Sequence, residues 1–196
     1  MPCLVSLSVA TSTYLLTTEI THMLIIMAGL PGTGKSTLAR QLASALPALI
    51  LDKDPIRAAL FPPERIEYAT PQDDFCMGVM LQVAEYLLRQ DPATHVILDG
   101  RTFSRRYQVE TVADLATCLH QPLRIIECVC SDAAAQQRLA RDAAQGTHVA
   151  GNRNFALYQA IKARFESIER PKLSVNTDEE LNATIAQCLQ FLRTDR

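Results

Sequence analysis

The sequence lacks three features that would each assign it to a class of protein: an excess of positive charge, a long apolar run and a regular cysteine spacing. It carries 19 lysine and arginine residues against 21 aspartate and glutamate residues, which gives a formal net charge of −2. A protein that coats nucleic acid needs clustered positive charge on its surface, so the composition disfavours such a protein. The composition is compatible only with a small local channel of positive charge. With 196 residues and a hydrophobic fraction of 48%, the chain suits one α/β domain, with or without a small lid.

The six cysteines do not follow the pattern of a metal site. Such a site would need paired C-x-x-C motifs or a nearby histidine pair, and the sequence has neither. Cys128 and Cys130 alternate along one predicted strand, so they share a face and are predicted to be core or near-core thiols. The scattered spacing predicts reduced cysteines in a cytoplasmic protein.

Residues 1–22 precede the first predicted strand. This segment is rich in serine and threonine, and Glu19 is its one charged side chain. A secretory signal would need a basic start and a continuous apolar core, and a membrane span would need about 20 apolar residues. We therefore expect neither, and three interpretations stay open: a flexible tail, an added edge strand, or translation from an early start codon.

The most specific motif is a glycine-rich stretch between a predicted strand and a predicted helix. The apolar run 24–28 precedes it, and apolar residues at helical spacing follow it. The stretch matches G-x-x-x-x-G-K-[ST] at every fixed position, in the strand–loop–helix context where this pattern binds nucleotide phosphates. The predicted nucleotide-binding residues are Gly29, Leu30, Pro31, Gly32, Thr33, Gly34, Lys35, Ser36 and Thr37.

Each residue type in this loop has a physical role in binding a nucleoside triphosphate. The glycines permit backbone angles that let successive N–H groups surround a phosphate, and the following helix N-terminus adds partial positive charge. Lys35 supplies a full charge for the β- and γ-phosphates, and the Ser36 hydroxyl is placed to bind Mg²⁺. The loop therefore predicts a nucleoside triphosphate site.

A second stretch, Leu51 to Arg57, favours an alcohol acceptor. It follows a second predicted buried strand at 48–52 and places Asp54 three residues before Arg57, on one helix face. Asp54 can take the proton of an acceptor hydroxyl or orient that hydroxyl, and Arg57 can bind the acceptor or offset phosphoryl charge. The structural alternative is that Asp54 only caps a helix with Pro55 in its first position, and that Arg57 is solvated.

The remaining pattern alternates strands with helices. The strand at 95–100 ends in Asp99, and an aspartate at the carboxyl end of a parallel strand suits a Mg²⁺–phosphate site. Residues 61–73 are predicted to be an exposed loop, and a helix from about 74 to 89 is predicted to bury Phe75, Val79, Val83 and Leu87. Further strands are predicted at 123–130 and 172–175, with helices at 105–119, from 132, at 154–168 and from 178. Five such strands predict an α/β fold with a doubly wound, five-stranded parallel sheet.

Together these motifs resemble the small P-loop kinases of the AAA_33 type. The resemblance covers residues 23–176 and is carried by GLPGTGKST, LDKDPIRAALF, VILDG and a later helix that bears Arg138 and Arg141. This group is similar to polynucleotide kinase, adenylylsulfate kinase, chloramphenicol phosphotransferase and zeta toxin kinases. The resemblance implies a P-loop NTPase domain at 23–196, of nucleoside-monophosphate-kinase-like architecture, with a helical lid at about 138–153.

The resemblance also implies roles on the nucleotide side. Lys35 and Ser36 would bind ATP and Mg²⁺, and Arg170 would contact the adenine. Arg138 or Arg141 would be a lid arginine that reaches the ATP phosphates, because phosphoryl transfer needs mobile positive charge. The alternative for this pair is a surface charge pair on one helix face.

On the acceptor side, the resemblance implies that Asp54 is the acceptor base and Arg57 a substrate-side arginine. Asp99 would contact either the acceptor or a water on the metal. The arginines at 101, 105 and 106 either bind an anionic substrate or form a solvated helix start. Lys53, beside the acceptor carboxylate, either favours an acidic acceptor or faces solvent.

The sequence thus predicts an ATP- and Mg²⁺-dependent kinase that transfers the γ-phosphoryl group to a hydroxyl of a small metabolite or nucleotide. One alternative is a polynucleotide 5′-hydroxyl kinase. The mild acidity of the chain disfavours this alternative. The third predicted strand also ends in Asp99-Gly100-Arg101-Thr102, whereas the corresponding strand of phage polynucleotide kinase ends in Asp-Thr-Asn. A second alternative is a regulatory P-loop ATPase without a small acceptor. The expected partner is a small molecule or nucleotide with a free hydroxyl, extended nucleic acid is less expected, and no membrane is expected.

Overall fold

The apolar runs of the sequence form a central parallel sheet, which a computed structural model describes together with its helices for residues 22–145 and 154–194. The strands lie in the order β2-β3-β1-β4-β5, and all four neighbouring pairs are parallel. This arrangement confirms the predicted fold class. The strands are β1 Leu24–Ala28, β2 Leu49–Asp52, β3 Val96–Asp99, β4 Leu123–Val129 and β5 Leu173–Asn176.

Helices cover both faces of this sheet. One core cluster packs α3 and α4 against one face, and a second packs α1 and α7 against the other. None of the described helices is long and apolar enough to cross a membrane. The helices are α1 Lys35–Ala45, α2 Lys53–Leu60, α3 Thr70–Gln90, α4 Arg106–Cys118, α5 Asp132–Gln145, α6 Phe155–Lys162 and α7 Leu181–Arg193, and a short 3₁₀ turn spans Pro63–Arg65.

The central strand β1 shows why the sheet needs a continuous apolar run. All five of its residues are buried, because alternate side chains enter the two core clusters. The chain leaves β1 toward β2 and leaves β3 toward β4, which are opposite directions along the sheet. A crevice forms at the carboxyl ends of strands where such a reversal occurs, and ligands collect there in open α/β sheets.

Two predicted elements differ in burial from the structure. Strand β2 lies at the sheet edge and is only partly buried, because it pairs with β3 alone among the described strands. Helix α3 begins at Thr70, and Phe75 is 57% exposed. The predicted stripe of Phe75, Val79, Val83 and Leu87 is wrong, because α3 carries apolar residues on more than one face and the core receives the neighbouring set. The buried residues of α3 are Cys76, Met77, Met80, Ala84 and Leu88.

Helix α6 is shorter than predicted and ends at Lys162 rather than near Ile168. Tertiary hydrogen bonds replace the helical ones beyond this point. The Glu166 backbone N–H donates to the Ser104 carbonyl oxygen at 3.0 Å, and the Glu166 carboxylate accepts the Arg106 N–H at 2.7 Å. These bonds fix the segment after α6 against the start of α4.

Candidate active site

The glycine-rich residues 29–37 form the predicted phosphate loop, which follows β1 and enters the first turn of α1 at the carboxyl end of the sheet. Gly29, Gly32 and Gly34 have φ angles of 131°, 78° and 81°, which side-chain-bearing residues rarely adopt. At Gly29 an added Cβ would lie 2.3 Å from the carbonyl oxygen of Cys128 on β4. The loop approaches β4 so closely that only glycine fits at this position.

Lys35 is the first residue of α1, and its side chain returns to the loop. Its Nζ donates to the carbonyl oxygens of Gly29 and Leu30, each at 2.8 Å. The backbone N–H and the hydroxyl of Thr33 donate to the same Leu30 oxygen and close the turn. These bonds hold the ammonium group beside the backbone N–H groups of the loop, where the charge of a phosphate is best stabilised.

Two neighbouring segments hold the loop in place. The Gly29 N–H donates to the Thr102 carbonyl oxygen at 3.1 Å, after β3. The Thr177 hydroxyl, after β5, donates to the Thr33 carbonyl oxygen at 3.0 Å. Arg138 of α5 donates to the hydroxyl and carbonyl oxygens of Thr177 at 2.9 and 2.7 Å. Arg138 thus connects α5 to the segment that supports the loop.

Asp99 ends β3 directly opposite Asp52 in the register of β2 and β3. Its side chain is 1% exposed, and its Oδ1 has no hydrogen-bond partner among the described residues. A buried carboxylate oxygen without a partner is costly, so a ligand that satisfied it would be stabilising. Mg²⁺ prefers oxygen ligands and is commonly held by one or two protein groups plus substrate phosphates. Asp99 and the Ser36 hydroxyl, at the start of α1, fit that requirement.

Helix α2 begins directly after β2, and this corrects the predicted N-cap. Asp52 rather than Asp54 caps the helix, because its carboxylate accepts the Asp54 backbone N–H at 3.0 Å. The last strand residue already supplies the acceptor that the helix start needs. The Asp54 carboxylate therefore has no capping role, and it accepts a hydrogen bond from Arg57 Nη1 at 3.0 Å.

Arg57 is buried among acidic and aromatic groups rather than solvated. Its side chain is 2% exposed and pairs with both Asp54 and Asp73. Its guanidinium carbon lies 5.2 Å from the centre of the Tyr68 ring, within the range of a cation–π contact. Lys53 donates to Asp73 from the other side at 2.7 Å. Two cations and two carboxylates thus form one network at the start of α2.

Burial shifts the pKa of Lys53 within this network and of Asp52 beside it. Burial raises the pKa of Asp52 to about 6, and the neighbouring carboxylates of Asp99 and Asp54 act in the same direction. Burial lowers the pKa of Lys53 to about 8, against the opposing effect of the Asp54 carboxylate. Perturbed pKa values cluster at functional sites, so the network is a candidate for chemistry as well as for structure.

One cavity of about 150 Å³ joins the phosphate loop to this network. The loop and α1 contribute Pro31, Lys35 and Ser36, and α2 contributes Lys53, Asp54 and Arg57. Later segments complete the wall with Tyr68, Asp73, Arg101, Ser104, Gln108 and Arg164. A molecule in this cavity can therefore contact both Lys35 and Ser36 at the start of α1 and Asp54 of α2.

A second cavity contains other residues of the phosphate loop and α1, together with Arg138 and Arg141. The two arginines differ in their surroundings. Arg138 is bonded to Thr177 as described, whereas Arg141 is exposed and its side chain has no partner among the described residues. The predicted lid extends beyond them, and its residues 146–153 lie outside the described residues.

Arg170 lines neither of these two cavities. It pairs with Glu110 of α4 at 2.6 Å and lines a cavity that includes no loop residue. Arg105 and Arg106 line that same cavity, and both are paired with glutamates of the 166–169 segment. The structure thus brings Lys35, Ser36, Asp54 and Arg57 to one cavity and leaves Arg170 apart from it.

The sequence pattern does not single out three side chains that line the cavity: Tyr68, Asp73 and Arg164. Asp73 falls in the predicted loop because the start of α3 is predicted too late. The segment Thr70-Pro71-Gln72-Asp73 carries proline and an acidic residue in a first helical turn, which is a usable signal for a helix start. Arg164 has no comparable signal, because only the tertiary packing of α6 brings it to the cavity.

The AAA_33 family, described as an AAA domain, matches residues 24–168 of the chain. This range runs from β1 through the segment after α6. The comparison with curated proteins gives no significant match.

Solved structures share the fold. A protein of Chloroflexus aurantiacus that is provisionally designated a kinase is 24% identical, with a TM-score of 0.67 over 87% of this chain and 98% of its own. A gluconokinase of Sinorhizobium meliloti is 16% identical, with a TM-score of 0.64 over 89% and 93%. The APS kinase CysC of Mycobacterium tuberculosis, solved with AMPPNP and APS, is 15% identical, with a TM-score of 0.66 over 89% and 99%.

Proposed function

The chain belongs to the AAA_33 family of AAA domains, and we propose that it is an ATP- and Mg²⁺-dependent kinase. Its acceptor is a hydroxyl of a small metabolite or nucleotide. The observation that carries the proposal is the single cavity shared by Lys35 and Ser36 on one side and Asp54 and Arg57 on the other. The kinase folds of the structural neighbours support the same reading of the site.

On the nucleotide side, the loop residues Gly29 to Thr37 bind the triphosphate. Backbone N–H groups and Lys35 offset the phosphate charge, and this charge compensation supplies most of the catalysis in phosphoryl transfer. Of the two lid candidates, we assign Arg141 to the phosphates, because Arg138 is already engaged by Thr177. Arg138 then acts by positioning the segment that supports the loop. Arg170 receives no part in adenine binding in this proposal.

Ser36 and Asp99 would hold Mg²⁺ together with the phosphates. The ion supplies neutralisation of the charge on the transferred group. The buried Oδ1 of Asp99, which has no hydrogen-bond partner in the described part of the chain, is the feature that fits such an ion.

On the acceptor side, Asp54 orients the acceptor hydroxyl and takes its proton. Arg57 Nη1 donates to the Asp54 carboxylate at 3.0 Å, which fixes the direction of that carboxylate. The cavity brings the acceptor oxygen and the γ-phosphoryl group together, so that a bimolecular reaction becomes effectively unimolecular.

The test is ADP release from Mg-ATP across a panel of alcohols, sugars, nucleosides, aminoglycosides and 5′-hydroxyl oligonucleotides. One acceptor class should stimulate the wild-type protein, and Asp54→Asn should lower kcat by about 10²–10⁴-fold because a general base is lost. ATP binding to Asp54→Asn should stay within a few-fold of wild type. Asp114→Asn, an exposed carboxylate on α4, is the matched control and should have no effect.

The alternatives make different predictions in the same assay. A polynucleotide 5′-hydroxyl kinase would be stimulated by oligonucleotides alone. A regulatory ATPase would release ADP at a rate that no acceptor changes and that Asp54→Asn leaves intact. We place the protein in the cytoplasm, since the five described cysteines are free thiols and unpaired cysteines are typical of reducing compartments.

A further inference from the structure

We propose that the acceptor is a small anion: a hydroxyl compound that also carries a carboxylate, phosphate or sulfate group, and that Arg164 binds this group. The inference rests on the proposed kinase function and adds the chemical class of the acceptor. It starts from the charges that line the cavity between the phosphate loop and α2.

The cavity is lined by more positive than negative side chains. Five cations contribute to its wall: Lys35, Lys53, Arg57, Arg101 and Arg164. Two carboxylates, Asp54 and Asp73, are the acidic residues of the same wall. A bound nucleotide would use the charge of Lys35, so the remaining cations determine which acceptor the cavity favours.

Three of those cations are already neutralised by carboxylates. Arg57 pairs with Asp54 and Asp73, and Lys53 pairs with Asp73 at 2.7 Å. Arg101 pairs with Asp74, which also accepts the Tyr107 hydroxyl. These ion pairs form part of the cavity wall and orient Asp54. Because the three cations are already neutralised, they do not by themselves favour an anionic ligand.

Arg164 is different. Its side chain is exposed and lines the cavity, and no hydrogen bond or ion pair joins it to another described residue. The arginines on the adjacent surface are paired: Arg105 with Glu166, Arg106 with Glu169 and Arg170 with Glu110. Among residues 22–145 and 154–194, no carboxylate neutralises the Arg164 guanidinium at the cavity. Guanidinium groups bind carboxylates and phosphates through two parallel hydrogen bonds.

The backbone at Arg164 is held by its own N–H, which donates to the Ile161 carbonyl oxygen at 3.1 Å, and by the packing of α6. It lies two residues after α6, whose Leu157 and Ile161 line the same cavity. Tyr158 anchors α6 to α5 by donating its hydroxyl to Asp132 at 2.6 Å and by packing with Ala135 and Leu139. The backbone that carries Arg164 is thus held at the end of an anchored helix, so that binding an anion has to order only the side chain.

The remaining polar groups suit a molecule with two functional ends. Ser104 and Gln108 line the cavity and are largely buried, so they can form hydrogen bonds with the polar groups between the two ends of the acceptor. Asp54 takes the hydroxyl end beside the phosphate loop, and Arg164 takes the anionic end.

The test compares acceptors in matched pairs that differ in one anionic group. Suitable pairs are ribose and ribose 5-phosphate, glycerol and glycerate, and glucitol and gluconate, assayed by ADP release at constant ionic strength. We expect kcat/KM to be at least tenfold higher for the anionic member of the best pair. Arg164→Gln should raise the KM of that compound at least tenfold and lower the kcat/KM ratio between the two members of the pair, while the KM for ATP stays unchanged. Arg40→Gln, an exposed arginine of α1 outside the cavity, is the matched control.

Binding of the same compounds in the presence of Mg-AMPPNP, measured by calorimetry, separates this inference from the kinase assignment. Anions that bind the wild type and the Arg40→Gln variant but not Arg164→Gln support the inference whether or not they are phosphorylated. Equal binding of neutral and anionic members, or unchanged anion binding in Arg164→Gln, overturns it. The kinase assignment fails separately, if no compound of the acceptor panel stimulates ADP release and Asp54→Asn leaves that release unchanged.

Discussion

Replacing Asp52 by asparagine should stabilise the protein at neutral pH. Asp52 caps α2, and burial raises its pKa from 3.8 to about 6. Asparagine keeps the oxygen that accepts the Asp54 N–H, because it is as good an N-cap as aspartate. The substitution therefore removes the buried charge and leaves the cap.

The expected size of the effect follows from linkage. Since the folded pKa is higher than the unfolded one, the folded state binds more protons between the two values. The stabilising contribution of protonated Asp52 is thus fully present below about pH 4 and is lost as the pH rises through about 6. A shift from 3.8 to about 6 corresponds to about 3 kcal/mol as an upper limit, or about half of that for a partly exposed group.

Urea unfolding at a series of pH values between 4.5 and 8 measures this difference. The gain in the free energy of unfolding of Asp52→Asn over wild type should increase from pH 4.5 to pH 7.5 and then level off. Asp114→Asn, which removes an exposed carboxylate from α4, should show no such increase. A gain that does not depend on pH, or a loss of stability at pH 7.5, would refute the reasoning. A gain as expected would also mean that the ionised carboxylate of wild-type Asp52, beside Asp99, lowers the stability of the protein, as functional groups commonly do.

The remaining predictions concern the backbone and the two α5 arginines. Gly100→Ala should lower the free energy of unfolding by about 3 kcal/mol or more, because its φ of +83° costs an L-residue about 1–2 kcal/mol and the new Cβ would lie 2.4 Å from Asp52 Oδ1. Gly78→Ala in α3, where nothing lies within 4 Å, is the control and should instead stabilise by about 0.5–1 kcal/mol. Arg138→Gln should lower the melting temperature and weaken ATP binding, since it breaks the bonds to Thr177. Arg141→Gln should leave the melting temperature unchanged and lower kcat at least tenfold; the reverse pattern for these two variants would exchange their roles.

Local sequence determined the phosphate loop and the order of the elements. The motif that contains Gly29, Gly32 and Gly34 is specific, because each of its fixed positions supplies either a backbone angle that only glycine readily adopts or a charged or polar side chain for a phosphate. The strands were predictable since β1 and β3 are buried on both faces and need continuous apolar runs. The buried face of helix α3 was harder to predict, because apolar residues occupy several of its faces and only the position of the sheet selects which face is buried.

Only the tertiary structure decided which residues line the cavity beside Asp54. Asp54 follows Asp52 by two residues, and the sequence pattern does not reveal which of them caps α2; the immediate strand-to-helix junction assigns the cap to Asp52. Asp73 and Arg164 are far from Asp54 along the chain, and they reach the same cavity through the packing of α3 and α6. Long-range contacts of this kind leave no periodic signal in the sequence. The fold and the glycine-rich loop could therefore be predicted, while the set of residues that meets at this cavity could not.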